Sequence, residues 1–188
     1  MKRIGFLLLC WAVTAASLLT SCSKNDEESS AKISSVKIAY KYYTTQDMLD
    51  KCDISLKYID VNGKTQTVNM NNETFTDTTF MGGACKVWRK PLTITKSPTA
   101  LGALVTITPK ASADFTTGKM NFFTYVSIDC FVSSYSGLDV STVYKSPATI
   151  QCIYFAKFLE SSSTENTCGY NLSFNDNGVA FTQQTPSF

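Results

Sequence analysis

The nine residues "VKIAYKYYT", Val36 to Thr44, alternate along their whole length. Val36, Ile38, Tyr40 and Tyr42 fall on one side, and Lys37, Ala39, Lys41 and Tyr43 on the other. Successive side chains of an extended chain point to opposite faces, whereas a helix repeats about every 3.6 residues. The stretch therefore reads as a β-strand with one apolar face. The same period recurs downstream. Ile54, Leu56 and Tyr58 alternate with Ser55, Lys57 and Ile59; Asn62-Gly63 supplies the positive φ of a tight turn, and Thr65 to Met70 is the return strand. Asn71 to Gly83 reads as a polar loop with a short strand around Phe75. Cys85 to Thr95 is a strand interrupted by Pro91, which has no N–H to give a ladder and marks an edge or a bend.

Leu101 to Thr108 is a further strand, and Met120 to Ser134 is the longest. Phe122, Thr124, Val126, Ile128, Cys130 and Val132 form its more apolar face; Phe123, Tyr125, Ser127, Asp129 and Phe131 form a mixed one. Thr149 to Phe158 is expected to be an aromatic-rich strand. Gly169 to Asn175 and Val179 to Gln183 flank a second turn signal, Asn177-Gly178. Helix is confined to single turns at 45–52 and 136–146. About eight or nine short strands punctuated by turn signals predict an all-β fold, a two-sheet antiparallel β-sandwich, immunoglobulin-like or similar, with a closed barrel as the alternative.

The N-terminus carries a different signal. Lys2 and Arg3 precede an apolar run, Ile4 to Leu19, that is short for a bilayer span of about 20 residues. This is the layout of a secretory signal. Leu19-Thr20-Ser21-Cys22 resembles the lipobox of bacterial lipoproteins. That resemblance implies cleavage before Cys22, a diacylglycerol on its sulfur and an acyl chain such as palmitate on the new amine. Each buried methylene contributes about 0.8 kcal/mol, and one chain alone holds marginally, so two or three chains make a lasting anchor. Residues 1–21 are then the signal and 22–32 a lipidated, acidic, serine-rich tether too polar to fold. Residues 33–188 form the single domain. "CSKNDEE" is similar to the acidic export tag of Bacteroidetes surface lipoproteins, which favours an outward-facing position on the outer membrane.

Loss of the signal removes two of the 17 basic residues and leaves 15 against 15 acidic ones. A neutral chain without a basic run does not suit a phosphate backbone, so nucleic acid is not an expected partner. Histidine is absent, which removes the commonest general base and every Ser-His-Asp or Cys-His triad. The spacing of Cys52, Cys85, Cys130, Cys152 and Cys168 contains no C-x-x-C, so neither a structural zinc nor a thioredoxin-like dithiol is expected. Their pairing is not readable from the sequence. No cofactor, no metal and no catalytic residue is expected.

The segment "VKIAYKYYTTQDMLDKCDISLKYIDVNGKTQTV", followed by "KVWRKPLTI" and "LVTITPK", resembles a group of small Bacteroidetes lipoproteins over most of residues 36–135. The resemblance implies a β-sandwich and confers no activity. Candidate sites come from the residues themselves. Trp88, with Tyr43, Tyr125 and Phe131, has two readings: an aromatic platform that stacks on a sugar, or the core and sheet-surface cover that such residues more often form in a sandwich. Asp77-Thr78-Thr79 resembles the Bacteroidetes O-glycosylation sequon, with Thr78 as acceptor. Asp53, Asp60 and Asp129 are the acids a carboxylate-dependent glycoside hydrolase would draw on, though no motif places them together. The expected function is a membrane-anchored, non-catalytic binding or accessory module for a glycan or an outer-membrane partner protein. The alternatives are a structural subunit of an adhesin, pilus or outer-membrane complex and, behind it, the hydrolase.

Overall fold

β1 (Val36–Thr44) is an interior strand, with a neighbour on each side, and its alternation is realised residue by residue. Val36, Ile38, Tyr40 and Tyr42 are all 2% exposed or less. The structure, a computed structural model, describes residues 32–131, 147–161 and 165–188. The expected signal, most of the tether, the helical turn at 136–146 and the last residues of the Met120–Ser134 strand lie outside them.

After β1 the chain turns through α1 (Gln46–Lys51), where a single turn is expected. Thr45 caps it, its hydroxyl accepting from the Met48 N–H at 3.3 Å, and Asp47 and Lys51 complement the helix dipole at its two ends. β2 (Cys52–Ile59) and β3 (Thr65–Asn69) form the Asn62-Gly63 hairpin, in which Gly63 takes φ +75°. Asp60 fixes that turn by accepting from the N–H groups of Asn62 and Lys64 and from the Gln66 amide. A 3-10 turn, Met70–Asn72, leads to β4 (Thr76–Phe80), which hairpins into β5 (Gly83–Ile94). The short strand expected around Phe75 within residues 71–83 is β4, which begins at Thr76 and pairs with β5. Asp77 to Phe80 lack apolar alternation because β4 is a sheet edge with little to bury.

β6 (Thr99–Pro109) follows, then β7 (Lys119–Phe122) and β8 (Thr124–Phe131). The single long strand expected from Met120 is therefore broken at Phe123. β7 leaves the sandwich to pair with β9 (Ala148–Gln151), while β8 pairs with β1. The clearest departure is α2 (Cys152–Ser161), where a strand was expected through Phe158. Cys152 and Phe155 are buried at i, i+3 spacing, Phe155 and Phe158 both meet Phe122, and Ile153 and Tyr154 face solvent. A run of aromatics satisfies either period when read over a few residues; the helical spacing shows only when Leu159 and Glu160 are included. β10 (Glu165–Asn175) and β11 (Gly178–Gln183) close the chain as the second expected hairpin.

Eleven strands are present among the described residues. The orders β4-β5-β1-β8 and β11-β10-β6-β2-β3 define two antiparallel sheets, with β7-β9 a separate ribbon. The protein is an all-β sandwich, and the sheets do not close into a barrel. Pro91 lies opposite Ala39 of β1 and beyond the reach of β4, so among the described residues β5 has a neighbour on one side only at that position, where a missing N–H is tolerated.

The core lies between the sheets. Ile38, Tyr40, Tyr42, Val126 and Ile128 meet Ile54, Leu56, Leu101, Val105 and Leu172 across it. Each such side chain contributes about 1.5–3 kcal/mol through the apolar surface it removes from water. The Tyr40 hydroxyl joins the layers by accepting from the Gly102 N–H at 3.1 Å and donating to the Ile59 carbonyl at 2.9 Å.

Candidate functional site

The strand registers give the sandwich two ends. Thr44 lies beside Lys86 and Thr124, and Cys52 beside Pro109, so α1, the β4–β5 turn and the start of β8 share one end. Val36 beside Ile94 and Thr99 beside Leu172 mark the other. There Lys32, where the described chain begins, reaches Asp176 in the β10–β11 turn at 3.7 Å.

The α1 end carries two adjoining recesses. The larger, about 370 Å³, has Gln46, Leu49 and Asp50 of α1 on one side. Met70, Asn71, Glu73 and Phe75 form its floor and far wall, and Lys86 and Lys110 its rim. The smaller, about 200 Å³, shares Gln46 and Lys86 and adds Asp47, Asp77 and Asn121. A third recess, about 360 Å³, lies at the opposite end around Ser97 and the β10–β11 turn.

The larger recess is rigidly framed. The Asn71 side chain accepts from the Ile54 N–H and donates to the carbonyls of Leu49 and Cys52, each at 2.8 Å, binding the 3-10 turn to both α1 and β2. Lys110 donates to the carbonyls of Leu49 and Asp50 at the C-terminal end of α1, where a cation complements the exposed carbonyl dipoles. Lys86 pairs with Asp77 at 2.7 Å, and the Gln46 amide donates to Asp50 at 2.7 Å. Glu73 accepts from the indole N–H of Trp88 at 2.9 Å. The recess thus holds two carboxylates and two ammonium groups, each already engaged on one side, above the half-buried ring of Phe75. Such a surface offers hydrogen-bond donors and acceptors beside an apolar ring.

The residues expected to form an aromatic platform do not come together. Trp88 is 6% exposed and belongs to the core. It stands opposite Tyr42 on the inner face of its sheet, with Tyr58 at 6.3 Å between ring centres. It is not an outward plate, because its strand parity is that of the inward set; only its N–H reaches the recess, through Glu73. Tyr43 and Tyr125 do meet on the outer face, at 5.7 Å, and both contact Phe80, at 5.1 and 5.0 Å. Phe131 lies opposite Lys37 at the far end of β8, about 20 Å along the strand from Tyr125, and is 59% exposed.

Thr78 sits in the middle of β4, half-buried on the outer face beside Cys85, and not in a free loop. The three expected acids are dispersed. Asp129 is ion-paired with Lys41 on the outer face of the four-stranded sheet and accepts from Ser127. Asp60 is spent on its turn, whose N–H donors draw its carboxyl below the ordinary carboxylate value. Asp53 lies on β2 in the other sheet. A glycosidase needs two carboxyl groups about 5–10 Å apart across a cleft, and these three do not provide them.

Cys52, Cys85, Cys152 and Cys168 are buried free thiols. Burial pushes Cys52 and Cys168 up to about 12, far from the thiolate form a nucleophile or ligand requires. Among the described residues no three His, Cys, Asp or Glu side chains converge as metal ligands.

The acids and lysines that make the recess, Asp50, Glu73, Lys86 and Lys110, were not singled out in the sequence. Each lies in a short helix, a loop or a strand end whose partner is remote in the chain. One local signal was present: Asn69, Asn71 and Asn72 cluster at the end of a strand, as residues that fix turns do. No family model matches the chain, and no curated protein matches it.

Proposed function

We propose that the chain is an outer-membrane lipoprotein, acylated at Cys22 and facing outward, whose β-sandwich is a non-catalytic binding or accessory module for a glycan or a partner surface protein. One observation carries this reading: the α1-end recess and Lys32 occupy opposite ends of the sandwich. A chain tethered through residues 22–32 presents that recess away from the membrane, where a ligand in the medium meets it. The lipobox resemblance supplies the anchor and the acidic, serine-rich segment supplies the reach.

Cells that carry the chain are expected to capture a labelled polysaccharide, or to co-isolate a surface partner, that cells lacking it do not. Cys22→Ser, which removes the acyl acceptor, reproduces the loss. Capture that is equal in all three strains contradicts the proposal.

A second reading, a structural subunit of an adhesin, pilus or outer-membrane complex, is favoured by one feature. β4 pairs with Gly83 to Val87 only, so Trp88 to Ile94 of β5 have no described neighbour on that side. An open ledge of this kind can accept a partner strand. Amine crosslinking that traps a stoichiometric partner through Lys90 favours the subunit.

A further inference from the structure

We infer that the larger recess at the α1 end is a binding site for a neutral sugar, with Phe75 as the apolar floor and Asp50, Glu73, Gln46 and Lys110 as its hydrogen-bonding wall. This rests on the binding-module reading above and names its ligand class. The volume, about 370 Å³, lies in the range of small-molecule sites, about 300–1,000 Å³.

The charges argue against an anionic ligand. Lys86 is neutralised by Asp77, and Lys110, which donates to two backbone carbonyls, shares the recess with two carboxylates, Asp50 and Glu73, so no excess of positive charge is left to attract a phosphate or carboxylate. The carboxylates are likewise shared. Asp50 takes the Gln46 amide on Oδ1 and Glu73 takes the Trp88 indole on Oε2, so each keeps one further oxygen to accept from a hydroxyl. A carboxylate with a free oxygen accepts strongly from an O–H donor, and an ammonium with a remaining N–H donates to a hydroxyl oxygen. A pyranose presents both partners on every ring hydroxyl and an apolar C–H face to an aromatic ring. Phe75 is itself braced edge-on by Tyr42 at 6.5 Å, which holds its ring in place before a ligand arrives. The bond from Trp88 fixes the Glu73 carboxylate from below and makes Trp88 a positioning residue.

That bond also provides the reporter. Trp11 leaves with the signal, so Trp88 is the sole tryptophan of residues 22–188 and the sole emitter of the processed chain. The processed chain in detergent is titrated with methyl glucoside, methyl galactoside, methyl mannoside and N-acetylglucosamine, with glucuronate and glucosamine as charged controls. At least one neutral sugar is expected to give a saturable change in Trp88 emission that the charged sugars do not. Phe75→Ala removes the floor, and Glu73→Gln keeps the shape and an acceptor for the indole; each should weaken binding by roughly tenfold, equivalent to about 1.4 kcal/mol. The glutamine variant stands as the test if the alanine variant fails to fold. The inference is overturned if no neutral sugar gives a saturable response, if only a charged sugar does, or if both variants bind as tightly as the parent. Binding here is read on purified protein. Its failure therefore removes the sugar assignment and leaves the anchored module standing, whereas failure of the cell-capture experiment with sugar binding intact removes the module's setting and leaves the site.

Discussion

Tyr40→Phe tests how the two sheets are joined. Along β2 and β6 the register runs from Cys52 opposite Pro109 to Tyr58 opposite Ala103, so Ile59 would next face Gly102. The strands have parted there, and the Tyr40 hydroxyl fills the missing rung: it accepts from the Gly102 N–H at 3.1 Å and donates to the Ile59 carbonyl at 2.9 Å. The side chain is fully buried, so no water can replace it. Phenylalanine keeps the ring against Tyr58, at 5.2 Å, and removes only the oxygen. Two buried peptide groups then lose their partner, at about 1–3 kcal/mol each, offset by about 1 kcal/mol because the hydroxyl no longer has to be desolvated. The expected net loss is about 1–5 kcal/mol, a fall of about 3 °C per kcal/mol in Tm for a domain of this size. Tyr42→Phe is the internal control. Its hydroxyl is shared with side-chain hydroxyls, Thr124 at 3.2 Å and Thr44 beside it, and its removal should cost about 0.5–1.5 kcal/mol. Urea unfolding of both variants at neutral pH, followed by Trp88 emission, decides the matter. A Tyr40→Phe loss below about 0.5 kcal/mol, or no larger than that of Tyr42→Phe, refutes the bridging role.

Asn71→Ala removes three hydrogen bonds that tie the 3-10 turn to α1 and β2; a stability loss of about 2–4 kcal/mol is expected in the same assay, and a loss under about 1 kcal/mol would contradict the framing of the recess. Alkali should unfold the protein early. Burial pushes Tyr42, Cys52 and Cys168 up to about 12 and raises Tyr40 as well, so the folded state holds protons that the unfolded chain releases. Stability is then complete below about pH 9 and falls steadily as the pH rises toward 12, because the unfolded thiols and phenols ionise first; a urea midpoint unchanged between pH 8 and about 11 would oppose this. An O-glycan on Thr78, at the sheet edge, would add hexose-sized increments to the intact mass of native protein that Thr78→Ala removes; a mass accounted for by polypeptide and lipid alone dismisses the modification.

The sandwich was legible where one face of a strand is buried and the other wet. β1 and β2 alternate because each covers the core on one side only, and the Asn62-Gly63 and Asn177-Gly178 turns announce themselves by the φ they require. Legibility failed where burial is two-sided or negligible. Phe122 and Phe123 are both fully buried, so the period-two pattern runs unbroken through a point where the chain changes sheets. β4 is mostly exposed, so the sequence marked a short strand near Phe75 without its bounds or its partner. α2 looks like a strand because its aromatic residues satisfy both periods over a short window. Trp88 had two readings, core or sugar-stacking plate, and the structure takes the core one; Val87 and Trp88 are both buried, at 2% and 6% exposure, so neighbouring residues gave no contrast to fix the parity. The recess escaped notice because it is assembled from the ends of elements. Its acids and lysines are ordinary polar residues until α1, the 3-10 turn and β5 bring them to one place.

The account depends most on the anchor, and metabolic labelling with radioactive palmitate tests it directly. The account predicts that label enters the protein, resists extraction with detergent and organic solvent, and disappears with Cys22→Ser while the variant leaves the membrane fraction. An unlabelled protein, or a serine variant that sediments with membranes as the parent does, contradicts it.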